Sequence, residues 1–263
     1  MWPFSKKRTI AQSGILAGCA DHHSHILPGV DDGVESMDEA LRILATYEAA
    51  GVKELWLTPH IMEDIPNTPD KLRARFAELT ARYKGSITLH LAAEYMIDNH
   101  LRSLLMNCHS VTNNCPSFER GTSNAGSIAE GVTLLPIGTK GNHLLVETSY
   151  YNPPMRLHET LRQIKSIGYH PLLAHPERYM YMDEEEYIRL HQEGVKFQLN
   201  LPSICGGYGN TVKKRALWLL KKGLYDVIGS DTHCEEGVEY LLGSRHIEKD
   251  LRALQTLLSQ TLR

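Results

Sequence analysis

Residues 21–25 of this sequence read Asp-His-His-Ser-His and come directly after the apolar run Ile15–Ala20. We interpret the apolar run as a β-strand, on which side chains two positions apart point to the same face. His23 and His25 can therefore reach a single metal ion, while His22 points away. A lone His-x-His pair is only a moderate indication of a metal site, because buried histidines are common. Its meaning depends on the residues at the ends of the other strands.

Candidate metal ligands lie just after nearly every predicted strand. Short apolar runs alternate with longer amphipathic stretches, which is the pattern of repeated β-α units around a mostly parallel sheet. The loops after the strands contain Asp-Asp-Gly, Thr-Pro-His, Ala-Glu, Val-Glu, Ala-His-Pro-Glu-Arg and Ser-Asp-Thr-His. Scattered caps and surface residues would explain any one of these positions, but six strand ends together favour a shared site. The candidate ligands are His23, His25, Asp32, His60, Glu94, Glu147, His175, Asp231 and His233.

The periodicity of apolar residues predicts an α/β fold with seven strands. Strands are expected at Ile15–Ala20, Glu54–Leu57, Ile87–Ala92, His143–Val146, Pro171–Ala174, Lys196–Asn200 and Asp226–Ile228. Helices are expected at Ser36–Ala50, Pro69–Tyr83, Met155–Ile167, Asp183–Glu193, Asn210–Lys222 and Glu239–Leu262. Glycines placed for left-handed helix caps are Gly51, Gly168, Gly194 and Gly223. This alternation predicts a closed or nearly closed barrel, with its function on the loops at the strand C-terminal ends.

The composition excludes several classes of protein. The 263 residues are 42% hydrophobic and 22% charged with a formal net charge of −3, so no basic excess is available for nucleic acid. Five cysteines without a Cys-x-x-Cys pair provide neither a disulfide framework nor a thiolate metal site, and they fit a reducing cytoplasm. Because no apolar run reaches about 18 residues, no transmembrane segment is expected.

The sequence lacks the motifs of two other kinds of phosphate-binding site. A cysteine phosphatase needs a Cys-x5-Arg loop, but Tyr240 stands six positions after Cys234, and the other cysteines also lack an arginine at this spacing. The chain contains no Gly-x-x-x-x-Gly-Lys-Ser/Thr sequence for a nucleotide phosphate loop. The glycine-rich stretch at residues 205–209 leads into a helix without that Lys-Ser/Thr pair, and we interpret it as a loop.

The ligand types predict a cluster of divalent ions. Neutral imidazoles and carboxylates without thiolate suit Zn²⁺, Mn²⁺ or Fe²⁺. The candidate ligands are too many for one ion, and a cluster of carboxylates would repel itself, so two or three cations are expected. Such ions generate hydroxide from water at neutral pH and neutralise phosphoryl oxygens. Arg178, three residues after His175, can bind a phosphate dianion with both arms of its guanidinium.

These motifs together resemble the polymerase-and-histidinol-phosphatase (PHP) superfamily. They are His-x-His, Asp-Asp-Gly, Thr-Pro-His, Ala-Glu, the run at Ala174–Tyr179 and Ser-Asp-x-His, in family order from Asp21 to His233. More narrowly, the sequence is similar to the bacterial PHP-type tyrosine-protein phosphatases encoded with capsule and exopolysaccharide genes. Some members carry a further phosphate-contacting arginine soon after Ser-Asp-x-His, for which Arg245 is the nearest candidate here.

The resemblance implies a distorted seven-stranded TIM-like (β/α)7 barrel of the PHP type that holds two or three divalent ions. Manganese is the expected metal, with iron or zinc as alternatives. The implied ligands of the first ion are His23, His25, Glu94 and Asp231. Those of the second are Glu94, Glu147 and His175, with Glu94 bridging. Those of the third are Asp32, His60 and His233. Arg178 is the implied catalytic residue that contacts phosphate.

The implied activity is hydrolysis of phosphotyrosine in protein, with the tyrosine-rich tail of a bacterial tyrosine kinase that controls polysaccharide synthesis as the expected partner in the cytoplasm. One alternative is a PHP phosphatase for a small molecule such as histidinol phosphate, since substrate choice depends on loops around the site. An alternative of another class is a non-catalytic, metal-bound scaffold. The intact set of ligands argues against the scaffold.

The expected organisation is a single PHP phosphatase domain over residues 19–263, preceded by an N-terminal extension over residues 1–18. The segment at about 107–133 is rich in Asn, Ser, Gly and Thr and shows no sustained period. We interpret it as a surface insertion or lid, because it is too short and polar to form its own core.

Overall fold

Parallel strands alternate with helices along the computed structural model, which describes residues 7–112, 133–246, 254, 255 and 257. The strands are β1 (Arg8–Thr9), β2 (Ala20–Asp21), β3 (Glu54–Leu57), β4 (His60–Ile61), β5 (Thr88–Leu91), β6 (Glu94–Met96), β7 (His143–Glu147), β8 (His170–Ala174), β9 (Lys196–Asn200), β10 (Val227–Gly229) and β11 (Arg245–His246). The helices are α1 (Ile10–Ser13), α2 (Met37–Ala49), α3 (Pro69–Arg82), α4 (Asn99–Thr112), α5 (Leu157–Ser166), α6 (Glu184–Gln192), α7 (Leu201–Cys205), α8 (Gly209–Lys222) and α9 (Glu235–Gly243), with a 3-10 turn at Pro176–Arg178.

Parallel pairing brings the ends of the strands to the same side of the molecule. One sheet has six strands in the order β10-β9-β8-β7-β6-β4, and a second has three in the order β2-β3-β5. In the register of the larger sheet, His60 lies opposite Glu94, and Met96 lies opposite Glu147. The strands β1 and β11 form a separate antiparallel pair. The predicted α/β fold with parallel sheets is therefore confirmed.

The predicted single ring of seven strands is not seen in the strand pairing of the described residues. The chain leaves regular strand geometry at residues 58–59, between β3 and β4, and again at residues 92–93, between β5 and β6. Pro59 has no N–H with which to continue a ladder. The ends of β2 and β10 nevertheless lie side by side, because the Asp231 N–H donates to the His23 carbonyl at 2.8 Å.

Two apolar clusters contain the side chains on the two opposite faces of β7. On β7, Leu144 and Val146 belong to the large cluster that also includes residues of the helices, whereas Leu145 belongs to a smaller one. Because side chains alternate along a strand, Glu147 lies on the same face as Leu145. The smaller cluster consists of Trp56, Ala92, Ile137, Leu145, Leu172, Ala174 and Val227.

Most helix boundaries agree with the predicted ones, and their ends have the expected caps. The side chains of Ser36, Thr68 and Asp183 accept hydrogen bonds from the first turns of α2, α3 and α6. All four glycines predicted as caps have positive φ, at 91°, 96°, 81° and 68° for Gly51, Gly168, Gly194 and Gly223. Among the described residues, no helix is long and apolar enough to cross a bilayer.

Several predicted elements differ from the structure. The helix expected at Glu239–Leu262 is wrong in its first part, because α9 begins at Glu235 and ends at Gly243, and the chain then pairs as β11 with β1. Residues 254, 255 and 257 of the expected helix are helical, and residues 247–253, 256 and 258–262 lie outside the described residues. The strand expected at Ile15–Ala20 is wrong for most of its length, because a turn with left-handed glycines precedes β2. The helices α1, α4 and α7 have no counterpart among the predicted elements.

Both segments that were expected outside the main fold contribute buried residues to it. Ile10 and Leu16, within the expected N-terminal extension, are buried in the large cluster. The expected insertion at 107–133 begins inside α4, where Cys108 is buried. Residues 113–132 lie outside the described residues.

Candidate metal centre

The nine candidate ligands lie together at the C-terminal ends of the parallel strands. Their nitrogen and carboxylate oxygen atoms form four overlapping groups, within each of which all the ligand atoms lie within 4.8 Å of one another. The groups are His25 with Asp32, His60 and His233; His23 with Glu94 and His175; His23 with His25 and Asp231; and His60 with Glu94 and Glu147. The structure thus places every residue of the predicted set in one cluster.

The hydrogen bonds of His23 and His25 leave two lone pairs facing each other. His23 Nδ1 lies 2.9 Å from Gln198 Oε1, and His25 Nδ1 lies 2.8 Å from Asp31 Oδ2, so both Nδ1 atoms carry the proton. Gln198 Nε2 donates to the Leu199 carbonyl, which fixes the orientation of this amide. In the neutral rings, the form in which an imidazole binds a metal ion, the two Nε2 atoms are acceptors only, and they lie 3.0 Å apart.

Carboxylates converge on the same point. His23 Nε2 lies 3.2 Å from Glu94 Oε2 and 3.4 Å from Asp231 Oδ1, and His25 Nε2 lies 3.3 and 3.6 Å from the same two oxygens. Four lone-pair donors that are buried and face one another repel unless a positive charge lies between them. The donor set therefore fits a divalent cation of the borderline class.

Glu94 is the central carboxylate of the cluster. Its Oε2 lies 3.3 Å from His60 Nδ1, and its Oε1 lies 3.2 Å from His175 Nε2. His60 Nδ1 also lies 3.2 Å from Glu147 Oε1, while Glu147 Oε2 is 3.7 Å from His175 Nε2. Since Glu94 is fully buried and common to two of the groups, its two oxygens suit a bridging role between ions.

The remaining ligands lie nearer to solvent. Asp32 Oδ1 lies 3.4 Å from His60 Nε2 and 3.6 Å from His233 Nε2, and 63% of its side chain is exposed. The rings of His25 and His233 stack with their centres 4.1 Å apart. This part of the cluster therefore opens into the pocket, where a substrate can enter.

Two candidate ligands sit in strained backbone. His175 has φ of 33° and Asp231 has φ of 53°, both in the left-handed region that costs energy for residues other than glycine. Such strain persists only where surrounding contacts impose it, and here both positions direct a side chain at the same cluster. Arg156 is the other non-glycine residue with positive φ in the described ranges.

The cluster favours positive charge at its centre. Burial and a neighbouring imidazole lower the pKa of His25, but hydrogen bonds to Asp31 and Glu94 outweigh them and raise it to about 10. Burial raises the pKa of Asp231, but the surrounding histidines lower it to about 2. Because the acids stay ionised while the imidazoles attract positive charge, the cluster is suited to cations, and protons and metal ions would compete for it.

Arg178 lies at the edge of the same pocket. Its Nη1 donates to Asp231 Oδ2 at 2.7 Å, and its guanidinium carbon lies 4.2 Å from the ring centres of both Tyr150 and Tyr208. The pocket has a volume of about 550 Å³. Its lining includes candidate ligands, Arg178 and a rim of apolar and aromatic residues, namely Met62, Met96, Tyr150, Tyr151 and Tyr208. Arg245, the other arginine considered for phosphate, lies in β11 and does not line this pocket.

A family model described as capsular polysaccharide synthesis, CpsB/CapC, matches residues 19–115 and 131–241. The chain belongs to the CpsB/CapC family. This result confirms the family of capsule-related phosphatases that the motifs predicted. The expected domain at residues 19–263 includes all of the matched range.

Several relatives of this CpsB/CapC chain have names that state an activity. Tyrosine-protein phosphatase YwqE of Bacillus subtilis is 24% identical over 219 residues, covering 81% of this chain and 76% of YwqE. Tyrosine-protein phosphatase CpsB of Streptococcus pneumoniae is 26% identical over 226 residues, covering 81% of this chain and 82% of CpsB. CapC of Staphylococcus aureus is 24% identical over 239 residues, covering 89% of this chain and 84% of CapC.

Solved structures share the fold. A chain from the crystal structures of YwqE and CpsB, described as unique metal-dependent tyrosine phosphatases, superposes with a TM-score of 0.69 at 21% identity and covers 93% of this chain and 96% of that one. An amidohydrolase from Mycoplasma synoviae superposes with a TM-score of 0.53 at 12% identity, covering 97% of this chain and 90% of that one.

Residues outside the predicted ligand set orient the candidate ligands of this CpsB/CapC chain. Asp31 and Gln198 accept hydrogen bonds from the first two histidines, and Asn200 Nδ2 donates to Asp231 Oδ2 at 3.0 Å. Asp31 could have been found from its place beside Asp32. Asn200 ends the predicted strand Lys196–Asn200 and was expected near the mouth of the barrel, whereas for Gln198 only its position on that strand was available.

Proposed function

We propose that this chain is a metal-dependent phosphatase that hydrolyses phosphotyrosine in protein. The observation that carries the proposal is the convergence of two imidazole Nε2 atoms and two carboxylates, beside an arginine, in an open pocket. The names of the CpsB, CapC and YwqE relatives support the same activity.

We assign the candidate ligands to two or three divalent ions, with manganese as the expected metal and iron or zinc as alternatives. The first ion takes His23, His25, Glu94 and Asp231. The second takes Glu94, Glu147 and His175. The third takes Asp32, His60 and His233. Bound ions of this kind activate water and neutralise phosphoryl oxygens.

The residues of the chain supply the remaining functions. Arg178 keeps donors free beyond the Nη1 contact to Asp231, and these can bind the phosphoryl oxygens. Asp31 and Gln198 hold the imidazoles of His25 and His23 in the tautomer that presents Nε2 to the ions. The apolar and aromatic rim offers a surface for an aryl group.

The substrate that best fits this rim is a phosphorylated tyrosine side chain, which is long enough to reach buried ions from the protein surface. The partner we propose is the tyrosine-rich tail of a bacterial tyrosine kinase that regulates capsule or exopolysaccharide synthesis, in the cytoplasm. The family description and the names of the relatives support this context.

The test compares substrates on protein loaded with Mn²⁺, with Fe²⁺ and Zn²⁺ loading in parallel. We expect a higher kcat/KM for a phosphotyrosyl peptide than for histidinol phosphate. Preference for histidinol phosphate would instead assign the chain to small-molecule phosphatases. Loaded protein that hydrolyses neither of these nor a generic aryl phosphate would indicate a scaffold.

A further inference from the structure

Arg178 is in contact with two tyrosine rings, which we name the tyrosine clamp (Tyr150 and Tyr208). The guanidinium carbon lies 4.2 Å from each ring centre, which is within the range of cation–π attraction. The side chain of Arg178 is 16% exposed. Besides its ionic contact with Asp231, the Arg178 side chain thus has two ring contacts, which restrict rotation of its guanidinium plane.

The two rings of the clamp are held in different ways. Tyr150 is packed among aromatic residues, with its ring stacked on Tyr179 at 6.3 Å between centres, and its carbonyl accepts the Met180 N–H. Tyr208 is 38% exposed, and its hydroxyl accepts a long hydrogen bond of 3.4 Å from Asn200 Nδ2.

The glycine-rich loop at residues 205–209 determines the position of Tyr208. Gly206 has φ of 91° and Gly209 has φ of 87°, so the chain turns through the left-handed region on both sides of Tyr208. Gly207 packs closely, since a Cβ there would lie 3.3 Å from the Pro202 carbonyl oxygen and from the Tyr240 ring. The sequence of this loop excludes a nucleotide phosphate loop, and the structure shows that it presents an aromatic ring to the arginine instead.

We propose that Tyr208 is a positioning residue, which holds the guanidinium plane of Arg178 so that its free donors face the phosphoryl group. The inference rests on the proposed function, because it assigns Arg178 to phosphate binding. Tyr208 acts through Arg178, and its ring rather than its hydroxyl is the essential part.

The experiment measures binding of inorganic phosphate to Mn²⁺-loaded protein by calorimetry, together with KM and kcat for an aryl phosphate. Tyr208→Leu and Tyr208→Met are expected to weaken phosphate binding and raise KM by about 5- to 30-fold, as loss of a partly desolvated cation–π contact would. Tyr208→Phe keeps the ring and is expected to retain phosphate affinity. Tyr240→Leu removes a neighbouring contact to the same loop and serves as the control for loop packing.

A double-mutant cycle separates positioning from direct contact with substrate. If Tyr208 acts through Arg178, then Tyr208→Leu has no further effect on KM in an Arg178→Ala background. An equal effect in both backgrounds, or wild-type phosphate affinity in Tyr208→Leu, would overturn the inference. Wild-type protein that hydrolyses no phosphate ester would overturn the proposed function instead, and the phosphate titrations would still decide whether Tyr208 positions Arg178.

Discussion

The carboxylate of Asp31 joins two candidate ligands, His25 in the loop after β2 and His60 in β4. Its Oδ2 lies 2.8 Å from His25 Nδ1 and also accepts the backbone N–H of His60 at 3.0 Å. One buried oxygen thus fixes the tautomer of His25 and the backbone position of His60. Asp31 precedes Asp32 directly, so neighbouring acids have different tasks: the first orients ligands, and the second is itself a candidate ligand.

We predict that Asp31→Asn lowers metal affinity by about 10- to 100-fold, which is the usual cost of losing a carboxylate behind a ligating histidine. An amide can still meet His25, but it no longer provides a charged acceptor. Metal content after competition with a chelator measures the effect. Glu35→Gln, at an exposed position close by, is the control and should keep the wild-type metal content. Equal retention of metal by Asp31→Asn would show that the carboxylate only supports the loop.

Metal binding should release protons and strengthen as pH rises. The carboxylates around His25 and His60 outweigh burial and raise the pKa values of these imidazoles to about 10 and about 11. At pH 7 the metal-free cluster therefore holds protons on these rings, and an incoming divalent ion must displace them. Calorimetric titration with Mn²⁺ in buffers of different ionisation enthalpy should show net proton release. An affinity that does not change between pH 6 and pH 8 would contradict this linkage.

Arg178→Ala is predicted to reduce kcat/KM by roughly 10²-fold, the effect of removing one preorganised donor at a reaction centre, while bound metal stays unchanged. Metal content should persist because Asn200 still donates to Asp231 Oδ2. Arg178→Lys should recover only part of the loss, since a single ammonium cannot form two parallel bonds to phosphate. Element analysis beside steady-state kinetics checks both statements, with the exposed Arg189→Ala as the control. Loss of metal in Arg178→Ala would assign a structural role to this side chain.

The sequence predicted the residues that cluster at the strand ends better than it predicted the residues that orient them. A ligand such as His175 comes directly after a buried strand, and parallel strands end at a common edge, so the spacing alone brings such residues together. The strand Lys196–Asn200 was predicted with its observed bounds, but which of its residues faces His23 depends on register with β8 and β10. Tyr208 has no periodic signal at all, because a loop between two left-handed glycines determines its position.

The strand pairing and the C-terminal helix also depend on contacts that local periodicity does not reveal. Periodicity predicts the bounds of β3 at Glu54–Leu57, but it cannot reveal that the chain pairs again as β4 with β6, in a different sheet from β3 and β5. The helix expected at Glu239–Leu262 extended an amphipathic pattern past Ser244, where pairing of β11 with the distant β1 ends α9. In both cases contacts between residues far apart in sequence override the local pattern.

Stability should fall as pH falls from about 6.5 to about 4 because of His143. Burial and then the neighbouring His170, whose ring centre is 5.4 Å away, lower the pKa of His143 to about 4. Lys196 lowers the pKa of His143 further, and Asp226 raises it. The Nδ1 atom of His143 is buried without a hydrogen-bond partner. The folded state therefore binds fewer protons than the unfolded state in this pH window, so its stabilisation is complete above pH 6.5 and is lost on acidification.

His143→Phe removes this proton linkage while keeping a ring of similar size. We expect its melting temperature to fall less than that of the wild type between pH 6.5 and pH 4, when both are measured by thermal unfolding with metal removed by chelator. Metal removal matters because protonation of the ligand cluster would otherwise add its own pH dependence. Parallel curves for the two proteins across this window would show that His143 does not contribute to acid sensitivity.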